Sequence, residues 1–258
     1  MTPFEVVTAA YFAGMAATGL RTDIGRGRRG AAIAVALVAA GGAFATAASG
    51  AEVVRAWLPH AFLVAGYWVP GLLARRIVAA TRFEEWLVRG DRAVRPHLPS
   101  IPAPVAHLTE LAYLLCYPVV PASLLVAWTR GSAEDVRRFW FAVLVAGYAC
   151  YVTLPWLVSR PPRLTSVAPP VGCLGPVNLF VLRRVSHELN TFPSGHVAVS
   201  FAAAASLWTV SPGVALAFGA VAVAVAVGAV AGRYHYVVDV WLGIVVAAAA
   251  VAMSRALH

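Results

Sequence analysis

The sequence has no lysine: its 20 basic residues other than histidine are all arginine. No lysine can therefore serve in any site, and anion binding falls to guanidinium groups and backbone amides. Charge of either sign is scarce, at 12% of residues, against roughly twice that in a soluble domain. Cysteine is scarce too. Cys116, Cys150 and Cys173 sit in different segments without CxxC spacing, which favours buried thiols over a redox or metal centre. No HExxH run and no cluster of carboxylates suits a divalent ion, so neither a metal nor any other cofactor is expected. A cleavable signal pattern is also missing, because residues 3–20 are apolar but lack a basic leader and a clear cleavage site.

What remains is hydrophobic. Apolar residues make up 60% of the 258, and the mean hydropathy is +0.77. A hydrocarbon core of about 30 Å needs about 20 apolar residues per crossing, so the composition predicts an all-α, polytopic membrane helix bundle. Eight spans are expected, near 3–20, 31–50, 57–74, 105–128, 139–158, 194–212, 213–232 and 232–253. Valine and alanine alternate over 213–232 as in a strand, but a 20-residue apolar run argues for a transmembrane helix. Residues 1–52 read as an N-terminal hydrophobic hairpin and 53–258 as a core of six spans. Between spans three and four, Thr81-Arg82-Phe83-Glu84 has capping-box spacing, and Trp86 and Leu87 follow at helical intervals. This predicts an amphipathic helix in the membrane interface, then a proline-rich connector, Pro96 to Pro104. The net charge of +9 is scattered over short loops, which fits anionic lipid and not nucleic acid.

Three polar clusters interrupt the last four spans: Arg160 to Arg163, Ser194 to His196, and Arg233 to Asp239. Span parity puts all three at one membrane face. His235 and Asp239, four apart, are expected on one helix face, where the carboxylate fixes the imidazole tautomer and leaves the other nitrogen free to attack. Taken alone, a structural His–Asp pair explains them equally well. Ser194 suits an N-cap, Gly195 permits close backbone approach, and the free N–H groups of a helix start favour a phosphate. His196, beside that mouth, can protonate a leaving oxygen. Arg160, Arg163 and Arg233 supply fixed positive charge. Together these residues make a phosphoryl-transfer site that needs no metal.

The pattern resembles the type-2 phosphatidic acid phosphatase superfamily, which includes lipid phosphatases, lipid phosphotransferases and vanadium haloperoxidases. Arg160-Pro161 matches the end of its first motif, Pro193-Ser194-Gly195-His196 its second, and His235 with Asp239 the end of its third. The resemblance implies His235 as nucleophile, Asp239 as its partner and His196 as general acid. Three positions depart from it, one of them Gly228, where the third motif has serine. Thr153 stands where the first motif has lysine, and Ala229 where the third has arginine. Arg163 is expected to replace the lysine, and Arg233, one helical turn beyond Ala229, the arginine.

The expected activity is that of an integral-membrane lipid phosphate phosphatase. It would hydrolyse a lipid phosphomonoester or prenyl diphosphate through a phosphohistidine. A lipid phosphotransferase using an alcohol acceptor is the rival within enzymes, and a non-catalytic lipid-binding or transport protein the rival outside them. Arginine counts in residues 21–30 and 75–100 favour a cytoplasmic site. The resemblance instead tips the expectation to the extracytoplasmic face of a bacterial cytoplasmic membrane.

Overall fold

A computed structural model describes residues 1–75, 78–98, 102–165 and 175–257. Cys173 and residues 99–101 of the expected connector lie outside them. Among the described residues the one extended pairing is an isolated antiparallel bridge between Ser159 and Asn190; the rest of the regular structure is helical. In chain order the helices are α1 (Pro3–Arg21), α2 (Arg26–Ser49), α3 (Glu52–Trp57), α4 (Pro59–Leu73) and α5 (Val78–Val94). There follow α6 (Ala103–Leu114), α7 (Val119–Arg130), α8 (Ala133–Tyr151), the single turn α9 (Pro162–Thr165) and α10 (Gly175–Val185). The last three are α11 (Gly195–Ser206), α12 (Pro212–Ala231) and α13 (Val237–Ala256).

Helices α2, α12 and α13, of 24, 20 and 20 residues, are long and apolar enough to cross a membrane. At 1.5 Å per residue each reaches about 30 Å. The alternating valines and alanines of α12 form a helix because a lipid-facing segment must satisfy its own backbone groups. Two further helices, His107–Leu114 and Val119–Arg130, are long and apolar enough only as a pair, and they meet at a 54° bend. Pro118 lies at that break and has no N–H to continue the ladder. The molecule is thus an all-α, multi-pass membrane-type bundle.

Helix α8 is its centre. Every residue from Phe139 to Leu144 is buried, and α1, α4, α7, α11 and α13 all pack on it. Its N-terminus is capped by Ser132, whose hydroxyl accepts from the Asp135 amide. Helix α1 lies against α2, α4 and α8. Its Glu5, fully buried, is neutralised by Arg55 at 2.9 Å, which explains how an acid tolerates that position.

Several boundaries differ from expectation, and each difference concerns the site. Helix α5 begins at Val78, so Thr81 lies inside it and not at its cap; Glu84 reaches outward to Arg160 instead. Phe83 and Trp86 stack at 5.9 Å and pack edge-on against Phe192, with Leu87 buried beside them. Helix α11 has 12 residues and stops at Ser206, short of the expected Pro212. Helix α13 starts at Val237, five residues after the expected Gly232.

Candidate active site

Four helix ends converge at one end of the bundle: the C-terminal ends of α8 and α12 and the N-terminal ends of α11 and α13. Glycine makes two of these approaches possible. A Cβ on Gly195 would run into the ring of Tyr151 at the end of α8, and one on Gly243 of α13 would lie 2.8 Å from the Ser194 carbonyl. The close approach foreseen for Gly195 is therefore taken up by protein packing.

The end of α12 decides where His235 goes. The Tyr234 amide bonds to the Ala229 carbonyl at 2.9 Å and the Arg233 amide to Val230 at 3.2 Å, the pair of bonds that closes a Schellman motif. Arg233 takes the left-handed position there, with φ 57°, a conformation usually given to glycine. The chain turns out of the helix at this point. The expectation that Arg233 lies on one helix face with Ala229, and that His235 and Asp239 share a helix, is overturned. His235 stands just before α13, and Asp239 is in its first turn, accepting the Tyr236 amide at 3.1 Å. The two still meet, because a capping turn folds back over the helix start much as a helical turn would.

His235 Nδ1 lies 3.4 Å from Asp239 Oδ2. The contact is electrostatic, since its alignment falls short of a hydrogen bond. Asp239 is fully buried. Besides the Tyr236 amide, its Oδ2 accepts from Asn190 Nδ2 at 2.9 Å. Across from His235 the His196 ring lies 6.1 Å away, centre to centre, and nearly perpendicular. The Tyr113 and Tyr117 rings meet His196 edge-on at 5.8 and 5.7 Å.

Both histidines line one small cavity of ≈ 20 Å³ with Arg163, Asn190, Thr191, Tyr67, Tyr113 and Tyr234. That volume holds about one water molecule. Arg163 lies over the Tyr234 ring, 5.3 Å from its centre, and its amide is held by the Arg233 carbonyl at 3.0 Å. Tyr234 in turn stacks on Tyr113 at 3.9 Å and donates to Glu110, a fully buried acid of α6, at 2.5 Å. Asn178 of α10 donates to the same carboxylate.

The remaining sequence-identified residues lie around this cavity, not on its wall. Arg160 is turned away from it. Its guanidinium pairs with Glu84 at 2.8 Å and its amide donates to the same carboxylate at 2.7 Å, which holds the guanidinium pKa above its ordinary value. Its carbonyl accepts from the Tyr236 hydroxyl at 3.0 Å. Arg233 is also off the cavity wall; partial burial and the nearby Arg95 lower its pKa. Ser194 caps α11 by accepting from the Val197 amide, and the Gly195 amide donates to Thr191 Oγ1 at 3.2 Å. Two of the backbone donors expected for an anion are therefore engaged within the protein.

At the positions of the missing lysine and arginine the structure shows neutral joints. Thr153 donates to the Phe192 carbonyl at 2.5 Å, tying the end of α8 to the loop before α11. Ala229 is fully buried and its carbonyl receives the amides of Tyr234 and His235. Reasoning from sequence missed Asn190, Tyr113, Tyr234 and Glu110. The one signal for Glu110 was an acid inside an apolar span; Asn190 carried none. Among the described residues no group of three histidines, cysteines or acids is arranged to hold a metal.

No curated protein and no solved structure matches the chain. The family model of the PAP2 superfamily matches residues 135–258. That segment contains Arg160-Pro161, the Pro193–His196 run, and His235 with Asp239. Over residues 135–258 the chain is thus similar to the PAP2 superfamily.

Proposed function

We propose that the protein is a membrane-embedded, metal-independent phosphatase that hydrolyses a lipid phosphomonoester or prenyl diphosphate. The match of residues 135–258 to the PAP2 superfamily supports phosphatase-type activity in general. The observation that carries the finer reading is one cavity lined by His196, His235 and Arg163, with Asp239 behind His235.

In the first step His235 Nε2 forms a bond to phosphorus while the bond from phosphorus to the leaving oxygen breaks. His196, protonated once the anionic substrate lies beside it, gives its proton to that oxygen. Asp239 holds the Nδ1 proton and balances the positive charge that develops on the phosphorylated ring. The long Nδ1–Oδ2 contact tightens at this stage, as catalytic hydrogen bonds commonly do once substrate is bound. Arg163 faces the equatorial oxygens. In the second step water attacks phosphorus, the P–N bond breaks, and the water proton returns to His196. Inorganic phosphate leaves and both histidines regain their starting states. The cavity widens to admit a phosphoryl group, since its present volume suits about one water.

The test is phosphate release by purified protein in chelator, from phosphatidic acid, prenyl diphosphates and phosphatidylglycerol phosphate. Turnover of at least one is expected, together with an acid-labile phosphoenzyme, and His235→Ala should abolish both. Undiminished release by His235→Ala overturns the nucleophile. By family resemblance the site opens on the extracytoplasmic face. A membrane-impermeant maleimide that labels Leu164→Cys in intact cells, over wild type, supports this; labelling only after lysis reverses it.

A further inference from the structure

We infer that Asn190 is the positioning residue of the site: it sets Asp239 and, through it, the nucleophilic ring of His235. The inference rests on the reading of His235 and Asp239 given above. Asn190 lies in the loop before α11, outside the Pro193–His196 run, and is 1% exposed. Its backbone pairs with Ser159 at 2.8 Å in the isolated bridge. Its side-chain nitrogen donates to Asp239 Oδ2 at 2.9 Å and lies 3.3 Å from Ser159 Oγ.

The orientation of the amide is dictated by chemistry. A carboxylate accepts only, so the group facing Asp239 Oδ2 must be the NH₂ of Asn190. This donor and the Tyr236 amide approach the same oxygen, the one nearest His235 Nδ1. Oδ2 is therefore clamped from two sides while Oδ1 has no partner among the described residues. The clamp prevents the carboxylate from rotating away from the imidazole. Because His235 Nδ1 is only loosely engaged, the place of Oδ2 determines how well that bond forms when charge develops on the ring.

Asn190 also joins the three motif segments. It is bridged to Ser159, next to Arg160; it stands four residues before Ser194; and it holds Asp239. Placement of the nucleophile's partner is thereby tied to the segment 159–163 that carries Arg160 and Arg163.

Orthovanadate, a phosphoryl transition-state mimic, tests the assignment without knowledge of the lipid. Its binding to the purified full-length protein is followed by ⁵¹V NMR. His235→Ala should lose binding, and Asn190→Ala should weaken it by about ten-fold or more, the usual effect of removing a partner behind a ligating histidine. Ser159→Ala keeps the backbone bridge and removes only the other side-chain acceptor, so its affinity should stay within about two-fold. Asn190→Asp separates positioning from structure. Its introduced carboxyl repels Asp239 when ionised but donates to it when protonated, so binding should be weak near pH ~8 and recover toward pH ~5.5 relative to wild type. A purely structural role predicts a loss that does not change with pH. Wild-type affinity in Asn190→Ala, or a pH-independent deficit in Asn190→Asp, overturns the role of Asn190 alone. Wild-type affinity in His235→Ala overturns the reading of the site itself.

Discussion

Glu84 of the amphipathic helix α5 holds the Arg160 guanidinium at 2.8 Å and accepts its backbone amide at 2.7 Å. The arginine of the Arg-Pro motif is thus engaged by a carboxylate, while Arg163, three residues on, lines the cavity. Arg163→Ala should therefore weaken orthovanadate binding by about ten-fold or more, a lost charge-assisted bond of roughly 1.5–3 kcal/mol. Arg160→Ala should lower it by no more than about three-fold, because its side chain is 43% exposed and its pairing is screened by solvent. The reverse order in the same titration would assign phosphate binding to Arg160.

The acid inside α6 has a structural task. Glu110 is fully buried and receives both the Tyr234 hydroxyl and the Asn178 amide. Glu110→Ala leaves the Tyr234 hydroxyl without its acceptor, while Asn178 keeps the Glu110 backbone carbonyl at 2.8 Å, and should destabilise by about 1–3 kcal/mol. Glu110→Gln keeps a carbonyl acceptor and should retain most of that stability. Thermal unfolding midpoints in one detergent would compare the two, and equal midpoints would remove Glu110 from the network.

Gly195 should tolerate no side chain, because its Cβ would meet the Tyr151 ring. Gly195→Ala is expected to cost about 1–3 kcal/mol by overpacking. The double variant Gly195→Ala with Tyr151→Leu should regain part of the loss, since the obstructing ring is gone. Failure of the second substitution to restore any stability would point to the backbone of α11 and not to this contact.

His187 lies between α10 and α11, stacked on Tyr67 at 4.1 Å, and its Nδ1 accepts the Leu189 amide at 3.2 Å. Burial lowers its pKa from the usual 6.5 to about 4. Its unfolded form binds a proton at higher pH than its folded form does. Stability is therefore complete above pH ~6.5 and falls as the pH drops from ~6.5 toward ~4, by up to roughly 3 kcal/mol. His187→Phe keeps the stack and cannot take up a proton. Its unfolding midpoint should fall less than that of wild type between pH ~7 and pH ~5, and parallel curves would rule out this source of acid sensitivity.

Much of this molecule is set locally. Long apolar runs such as 212–231 must form helices in lipid whatever their neighbours, because no other arrangement satisfies the backbone there. Pro193-Ser194-Gly195-His196 marks a helix start through a capping hydroxyl and an unhindered glycine, and Ser194 does cap α11. Both depend on residues within a few positions of one another, so they are legible in order along the chain. Span parity, which needs only the last boundaries, brought His196 and His235 to one face, and they line one cavity.

What the tertiary structure decided lies between segments. Arg160 and Arg163 are equivalent by composition and near neighbours by position. One is paired with Glu84, 76 residues away, and the other enters the cavity. The turn at Arg233 removed it from the helix face of Ala229, because a Schellman cap depends on which residue accepts left-handed geometry and not on apolar period. Asn190 shows the limit most clearly. An asparagine in a loop has no signature, and its hydrogen bond to Asp239 spans 49 residues. The identities of the reacting groups are local chemistry; which of them face the phosphoryl group, and what holds them there, depends on contacts that form only when distant segments pack together.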